Sequence, residues 1–363
     1  MKICFLYTVE NAHIQKWCRY FHEKGHEVHL ISVFPGECAY AQVHVLDTKV
    51  DSKHASDAKK LDYLMHGKQL KALIDSIQPD IVHAHYLTSY GSMCAFSKVR
   101  PFWLSVWGAD VYDFPKKSFL HKWLVKYTLS KAAHVLSTSR AMAEETKNYT
   151  DKPIGITPFG VDMELFSPAK RTRPADDGRF VIGTVKTLAK KYGIEDILKA
   201  AAMVLEQRPE IPLEIRIAGT GNQKEELWAL GKTLGLDERI SWLGQISQMQ
   251  AAEEYANMDV AVIPSTLESE SFGVSAVEAE ACALPVIISR IPGLMEATNP
   301  GQTSLVVDKQ APEQIAEKLI WLYDHPEEAR AMGLRGRAFA NEHYEFNHCF
   351  EAVETLYTEA LKK

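Results

Sequence analysis

Short apolar runs separated by segments of helical character recur along this chain in two series, and that alternation restricts the fold more than any other feature. The first series is KICFLYT, EVHLISV, AQVHVLD, DIVHAHY, FWLSVW, HVLSTS and PIGITPFG. Near-continuous apolar runs are how strands covered on both faces read. Strands and helices in alternation build a parallel sheet between helical layers. After Phe166-Ser167-Pro168 the stretch AKRTRPADDGR carries no periodicity and reads as a linker or long surface loop. The alternation then restarts with RFVIGTV, LEIRIAG, RISWLG, DVAVIPS, LPVIIS and SLVVD, with helical segments such as IEDILKAAAMVLEQ and APEQIAEKLIWLYDH between them. Two doubly wound α/β domains in tandem are expected, each with ligand-binding loops at the carboxyl ends of its strands. The expected site is a cleft between the domains. A final segment, FNHCFEAVETLYTEALKK, repeats apolar residues at helical spacing and reads as a closing helix.

A length of 363 residues, 46% of them hydrophobic, suits two cores better than one. The opening MKICFLYTVENAHIQKW is broken by Glu10, Asn11 and His13 before it could serve as a secretion signal. No apolar run approaches the roughly 20 residues of a membrane-spanning helix, so a cytoplasmic protein is expected. Cys4, Cys18, Cys38, Cys94, Cys282 and Cys349 are scattered, with no C-x-x-C pair, and read as reduced structural residues. Charge is divided unevenly. Residues 1–160 hold 20 Lys and Arg against 15 Asp and Glu, and the remainder holds 21 against 32.

The segment ESESFGVSAVEAE, residues 268–280, follows the buried-strand run VAVIP and sets two glutamates around a Phe-Gly pair. At a strand-to-helix handover, the amides of Phe272, Gly273 and Val274 lie where unpaired N–H groups attract phosphate or hydroxyl oxygens. Glycine there lets a ligand approach the backbone. Glu270 falls in the loop and Glu278 in the second helical turn, each able to accept two strong hydrogen bonds from sugar hydroxyls. Taken alone, the pair reads equally as an acidic N-terminal residue and a solvated helix face. Upstream, GTVKTLAKKYGIEDILKA places Lys186 and Lys191 after the first strand of the second series. Ammonium groups there can neutralise a diphosphate.

These blocks, RFVIGTVKTLAKKYGIEDILKA, LEIRIAGTGN, RISWLGQIS and VAVIPSTLESESFGVSAVEAEACALPVIISRIPG, resemble those of a family-4 retaining glycosyltransferase of the GT-B fold. GHEVHLIS, DIVHAHYLTSYG, SVWGADVY and ITPFGVDMELFSP in the first half fit the same family. The resemblance implies a GT-B architecture: two Rossmann-like doubly wound parallel-sheet domains with an interdomain cleft. Residues 1–165 would be the acceptor-side domain, 166–345 the nucleotide-sugar domain, and 346–363 a helix crossing back to the first. Glu270 resembles the carboxylate on the donor sugar, with Ser271, Phe272, Gly273 and Val274 around its oxygens, and Glu278 resembles the ribose ligand. Lys186 and Lys191 match the basic pair on the diphosphate, the first position being more often arginine. Gly219 and Gly221 fit a turn beside the nucleotide, and Gly244 and Gln245 lie where the family holds the base.

Two departures bear on the acceptor side. The first loop, TVENAHIQKW, lacks the Gly-Gly pair of many members, leaving Asn11 and His13 as contact candidates. SVWGAD has Trp107 where many members carry a histidine, with Asp110 the nearest polar group able to point at an acceptor. His83 and His85, two apart on one strand, share a face. His83 is expected to be a satisfied structural histidine, and His85, with Tyr86 beside it, to face the cleft at the strand's end. No third ligand stands near to make them a metal pair, and no D-x-D triplet occurs anywhere. Positive charge on a leaving diphosphate would come from Lys186, Lys191 and the helix N-terminus, with no metal and no cofactor.

The resemblance implies transfer of a sugar from a nucleoside diphosphate, UDP-linked first and GDP-mannose second, to a cell-envelope, polysaccharide or lipid-linked acceptor. A non-catalytic sugar-nucleotide binding module would share every binding residue. A glycoside hydrolase using Glu270 and Glu278 is disfavoured by the adjacent lysines. An oxidoreductase on Gly219-Thr220-Gly221 lacks its third glycine, since Lys224 stands there. No nucleic-acid partner is expected. KKSFLHKWLVKYTLSK, Lys116 to Lys131, sets Phe119, Leu120, Trp123, Leu124 and Tyr127 at helical spacing among lysines. It reads either as an anchor on an anionic membrane, making the protein peripheral on the inner face, or as a cover for the first sheet.

Overall fold

The computed structural model describes residues 1–47, 66–174 and 177–362. The chain divides into two compact units, Met1–Phe159 with Asn347–Lys363, and Gly160–Phe346. Every apolar run of both series forms a strand.

In the first unit seven strands make one parallel sheet: β1 (Lys2–Leu6), β2 (Glu27–Ser32), β3 (Gln42–Val45), β4 (Ile81–His85), β5 (Trp103–Val106), β6 (His134–Ser137) and β7 (Ile154–Ile156). Their order is β3-β2-β1-β4-β5-β6-β7. Connections therefore run outward from β1 in one direction and from β4 in the other, and a ligand crevice opens beyond the carboxyl ends of those two strands. Leu6, Ile31, Val82, Leu104 and Val135 bury one face of the sheet in a continuous core.

The helix Ala12–Glu23 starts at Asn11, whose side-chain oxygen accepts from His13 N at 2.9 Å and Ile14 N at 3.3 Å. The closing helix Phe346–Leu361 belongs with this unit over most of its length. Glu354 accepts from Tyr20 Oη at 3.0 Å and pairs with His26 Nε2 at 2.8 Å, while the Phe350 ring stacks on Tyr20. Helix Phe119–Lys131 covers the core with Val125, Thr128 and Leu129, and leaves Phe119 80%, Leu120 60% and Trp123 54% exposed. Its apolar stripe is thus not what covers the sheet.

The second unit has six parallel strands, β8 (Phe180–Val185), β9 (Leu213–Ala218), β10 (Ile240–Gly244), β11 (Val260–Ile263), β12 (Val286–Ser289) and β13 (Ser304–Val307), in the order β10-β9-β8-β11-β12-β13. Here the switch point lies between β8 and β11. The stretch 169–179, of which Ala175 and Asp176 lie outside the described residues, is pinned and does not behave as a free linker. Arg173 is buried and reaches Asp259 at 2.5 Å and Asp177 at 2.6 Å, Arg171 reaches Asp259 at 3.1 Å, and Asn257 Oδ1 accepts from the Thr172 and Arg173 amides. The missing periodicity reflects a strap held by side chains, a pattern that hydrophobic spacing does not reveal.

Candidate active site

In the second unit the loops after β8, β9 and β11 meet at the switch point, where the candidate residues come together. The loop after β9 lies directly on the loop after β8. Lys186 N donates to the Ala218 carbonyl at 2.9 Å and Leu188 N to that of Thr220 at 3.0 Å. Only glycine permits this approach: a Cβ at Gly219 would stand 1.9 Å from the Lys186 oxygen, and one at Gly221 2.1 Å from that of Leu188. Gly219 N also donates to the Gly244 carbonyl at 2.7 Å, which ties β10 into the same edge, with Gln245 exposed beyond it. The loop after β11 clamps the other side through Thr266 N, which donates to the Lys191 carbonyl at 2.7 Å.

These contacts position a compact charged cluster. Lys186 Nζ donates to Glu270 Oε1 at 2.9 Å and to Ser275 Oγ at 3.1 Å, and Ser275 Oγ donates to the Val185 carbonyl at 3.2 Å. Both side chains of the Lys186–Glu270 pair are about a tenth exposed, at 11% and 8%. Removing one partner of a pair so buried costs about 3–5 kcal/mol, because it strands the other charge. The Tyr192 ring lies between two ammonium groups, 4.8 Å from Lys186 Nζ and 4.7 Å from Lys191 Nζ. Burial raises the Tyr192 phenol above its ordinary range, so at neutral pH it is a neutral ring facing two cations.

Helix Val274–Ala281 begins at Gly273, which takes the left-handed conformation, and its first hydrogen bonds run from Ala276 N and Val277 N to the Gly273 carbonyl. The Val274 and Ser275 amides lie ahead of that ladder, at the positive end of the helix. Phe272 is buried against Tyr344, fixing the turn, and Ser271 is buried beside it. Glu278 is half-buried in the second turn, one helical row from the cluster. Sequence reasoning overlooked Ser275 and Tyr192. Adjacency was the available signal: Tyr192 follows Lys191, and Ser275 stands two residues after Gly273.

The first unit treats its candidates differently, and the expected orientations of Asp110 and His85 are corrected. Asp110 was expected to point at an acceptor. It is fully buried and accepts from the amides of Leu87 (2.9 Å), Trp107 (3.1 Å) and Gly108 (2.8 Å), so both oxygens hold the loops after β4 and β5 together. Burial pushes its carboxyl up, opposed by these backbone donors. Asn11 spends its side-chain oxygen as a helix cap. His85 does not face outward: its ring is fully buried among Phe5, Trp17, His83 and Trp107, with no hydrogen-bond partner at either nitrogen among the described residues. Burial, aided by His83, holds it well below the usual imidazole range and therefore neutral.

His83 is satisfied, bonding Tyr357 Oη through Nδ1 and Ser105 Oγ through Nε2 at 2.8 Å. Five rings gather at the carboxyl end of the sheet. Trp107 lies 4.4 Å from Tyr7 and 5.1 Å from Phe159, and His13 stacks on Phe159 at 4.1 Å, with Tyr86 close to Tyr7 at 6.4 Å.

Two family models match the chain, Glycosyl transferases group 1 over residues 167–339 and Glycosyl transferase 4-like over residues 2–139. The chain belongs to the group 1, family-4-like glycosyltransferases. A D-inositol 3-phosphate glycosyltransferase of Pseudarthrobacter chlorophenolicus is 34% identical over 209 residues, 55% of this chain and 49% of that protein. The chain thus spans about half the length of the curated relatives it matches. Among solved structures, the sucrose-phosphate synthase of Thermosynechococcus elongatus superposes with a TM-score of 0.86 at 19% identity, over 100% of this chain and 99% of that one. Anabaena HepE, solved in complex with UDP-glucose, gives 0.75 at 18% identity, over 99% and 100%. These likenesses establish the GT-B fold for the two sheets.

Proposed function

We propose that this glycosyltransferase moves a sugar from a nucleoside diphosphate, UDP-linked first and GDP-mannose second, to a hydroxyl of a cell-envelope, polysaccharide or lipid-linked acceptor, with retention at the anomeric carbon and without a metal. The observation that carries the reading is the cluster of Lys186, Glu270, Ser275, Tyr192 and Lys191 at the switch point of the second unit. It concentrates cations and the positive end of a helix where a diphosphate leaving group needs them, and fixed dipoles of this kind lower the barrier to its departure. Glu270 would hold the sugar ring, Glu278 the ribose, and Gly244 and Gln245 would lie beside the base. With Glu270 already paired to Lys186, no protein nucleophile is called for. The leaving diphosphate would accept the proton of the incoming hydroxyl as the new bond forms. UDP is favoured because HepE was solved with UDP-glucose.

A panel of nucleotide sugars, scored by slow donor hydrolysis, tests the donor. In the same assay Glu278→Ala should weaken nucleotide affinity, and Glu270→Ala should lower turnover more than it raises donor KM, because ribose contacts are equal in ground and transition states while Glu270 adjoins the reacting ring. Equal small effects in both variants would sink the assignment. Binding without turnover of any donor would leave a sugar-nucleotide binding module. Activity abolished by EDTA and restored by Mn²⁺ or Mg²⁺ would overturn the metal-free reading.

The helix Phe119–Lys131 is the proposed membrane contact, on the inner face of the membrane. Phe119, Leu120 and Trp123 are exposed, Trp123 stacks on Tyr127, and Lys117, Lys122, Lys126 and Lys131 surround them. An anionic bilayer matches both features, at about 1 kcal/mol for each lysine near its surface. Binding to anionic but not zwitterionic vesicles, weakened by salt and by glutamate at Lys117, Lys122 and Lys126, is the expected result. Wild-type protein remaining in the supernatant at low salt would favour a soluble acceptor.

A further inference from the structure

Gln15, Cys18 and His22 stand on one face of the helix Ala12–Glu23, at the three- and four-residue spacing that lines side chains up in a row. The segment after β2 runs along that row. Gln15 Nε2 donates to the Glu37 carbonyl at 3.1 Å, and the rings of His22 and Tyr40 lie 6.0 Å apart. Between those two contacts, from Gln15 to Glu37 and from His22 to Tyr40, Cys18 lies across from Cys38, and the two thiols interact. The Tyr40 and Ala41 amides also point at that sulfur. Both thiols are free. Cys18 is buried, and Cys38 is the one cysteine among the described residues that is not.

We propose that Cys38 is a modification site for low-molecular-weight disulfides, resolved by Cys18 into an internal disulfide. The Cys38 thiolate attacks one sulfur of the disulfide RSSR, forming Cys38–S–S–R and expelling RS⁻, which takes up the proton Cys38 gave up. The Cys18 thiol then loses its proton to the second leaving thiolate and attacks the Cys38 sulfur. One RSSR is reduced to two RSH, and the two cysteines are oxidised by two electrons. The neighbouring Cys18 thiol and the two amides hold the Cys38 thiol down to about 7, against burial. Cys4 and Cys282, by contrast, are each pushed up to about 12 by burial. The Cys38 thiol is therefore more ionised at neutral pH than an ordinary one, and that gain outweighs its lower intrinsic nucleophilicity. The proposal does not depend on the glycosyl-transfer reading.

The test is a time course of the reduced full chain with glutathione disulfide at pH 7, followed by intact mass and peptide mapping, with circular dichroism confirming that each variant is folded. Wild type should lose two hydrogens and yield a Cys18–Cys38 cross-linked peptide. Cys18→Ser and Cys18→Ala should each stop with one glutathionyl group on Cys38, acquired more slowly in the alanine variant, which lacks the hydrogen that Cys18 offers the Cys38 sulfur. Cys38→Ser should form neither product. Absence of the cross-link in wild type while folded Cys18→Ala is modified would overturn the resolving step, and equal labelling of folded Cys38→Ser and wild type would overturn the site.

Discussion

The short helix Pro292–Ala297 begins against the loop that carries Glu270, and Gly293 makes the contact. A methyl group at Gly293 would stand 2.4 Å from the Glu270 carbonyl oxygen and 2.5 Å from the Ser271 carbonyl carbon and oxygen. Gly293 is not in the left-handed region, so Gly293→Ala acts through space alone. Reaching ordinary contact requires a shift of about 1 Å between the two backbones, and interiors this closely packed do not absorb it elsewhere. Overpacking of this kind costs about 1–3 kcal/mol and should lower the melting temperature by a few degrees. The shift falls on Glu270, and a misplacement of about 1 Å costs roughly 100-fold in rate, or about 2.7 kcal/mol. Glu278 lies in the second turn of the helix that follows this loop, so nucleotide affinity should change less than about three-fold. Donor-hydrolysis kinetics, UDP titration calorimetry and thermal melts on one preparation would separate these effects. Unchanged kcat and melting temperature would refute the packing argument. A loss of UDP affinity as large as the loss of turnover would refute the claim that the displacement is local to Glu270.

Three further outcomes follow from the same geometry. Lys191→Ala should cost about 2–4 kcal/mol in kcat/KM through lost charge on the diphosphate, and unchanged kinetics would remove that lysine from the site. Tyr192→Phe should keep UDP affinity and Tyr192→Leu should weaken it about 3- to 30-fold, since the ring face and not the hydroxyl meets the two ammonium groups; equal behaviour of the two variants in calorimetry would refute the ring's role. Burial holds the Asp196 carboxyl up at about 6, above its unfolded value of about 3.9, so its contribution to stability is fully present below about pH 4 and is lost as pH rises through 6. Asp196→Asn should therefore stabilise the protein by about 3 kcal/mol at pH 8 and by almost nothing at about pH 3 in denaturant titrations; a gain that grew toward acid would show the sign to be wrong.

Much of the fold is legible in the sequence, because strands covered on both faces must be apolar throughout, and runs such as VAVIP and LPVIIS can be little else. The face of a helix is harder to read. In Phe119–Lys131 two apolar sets share the segment, Phe119, Trp123 and Tyr127 on one row and Val125 and Leu129 on another, and both fit a 3.6-residue period. The protein buries the second. What decides is the shape of the sheet-side core, which the Thr128 hydroxyl joins by bonding Ser92 Oγ at 3.0 Å, a contact across 36 residues that no local pattern contains.

At the site, charge was legible and polarity was not. Lys186, Glu270 and Lys191 are costly to bury without a partner, so their presence beside strand ends already signals a shared location, and the 2.9 Å pair between the first two supplies it. Asn11 and Asp110 both read as candidates for substrate contact, yet short polar side chains at helix starts bond backbone amides two or three residues away. With those oxygens committed, the carboxyl end of the first sheet presents rings, Tyr7, His13, Trp107 and Phe159, while that of the second presents cations and amide dipoles. Rings bind the apolar faces of sugars without distinguishing a charged state, and cations recognise phosphate wherever it occurs. On the proposed reading, a donor's diphosphate would be readable from the second unit's sequence, whereas an acceptor meeting the first unit's rings would be selected by the shape of an aromatic surface, to which no spacing of residue types corresponds.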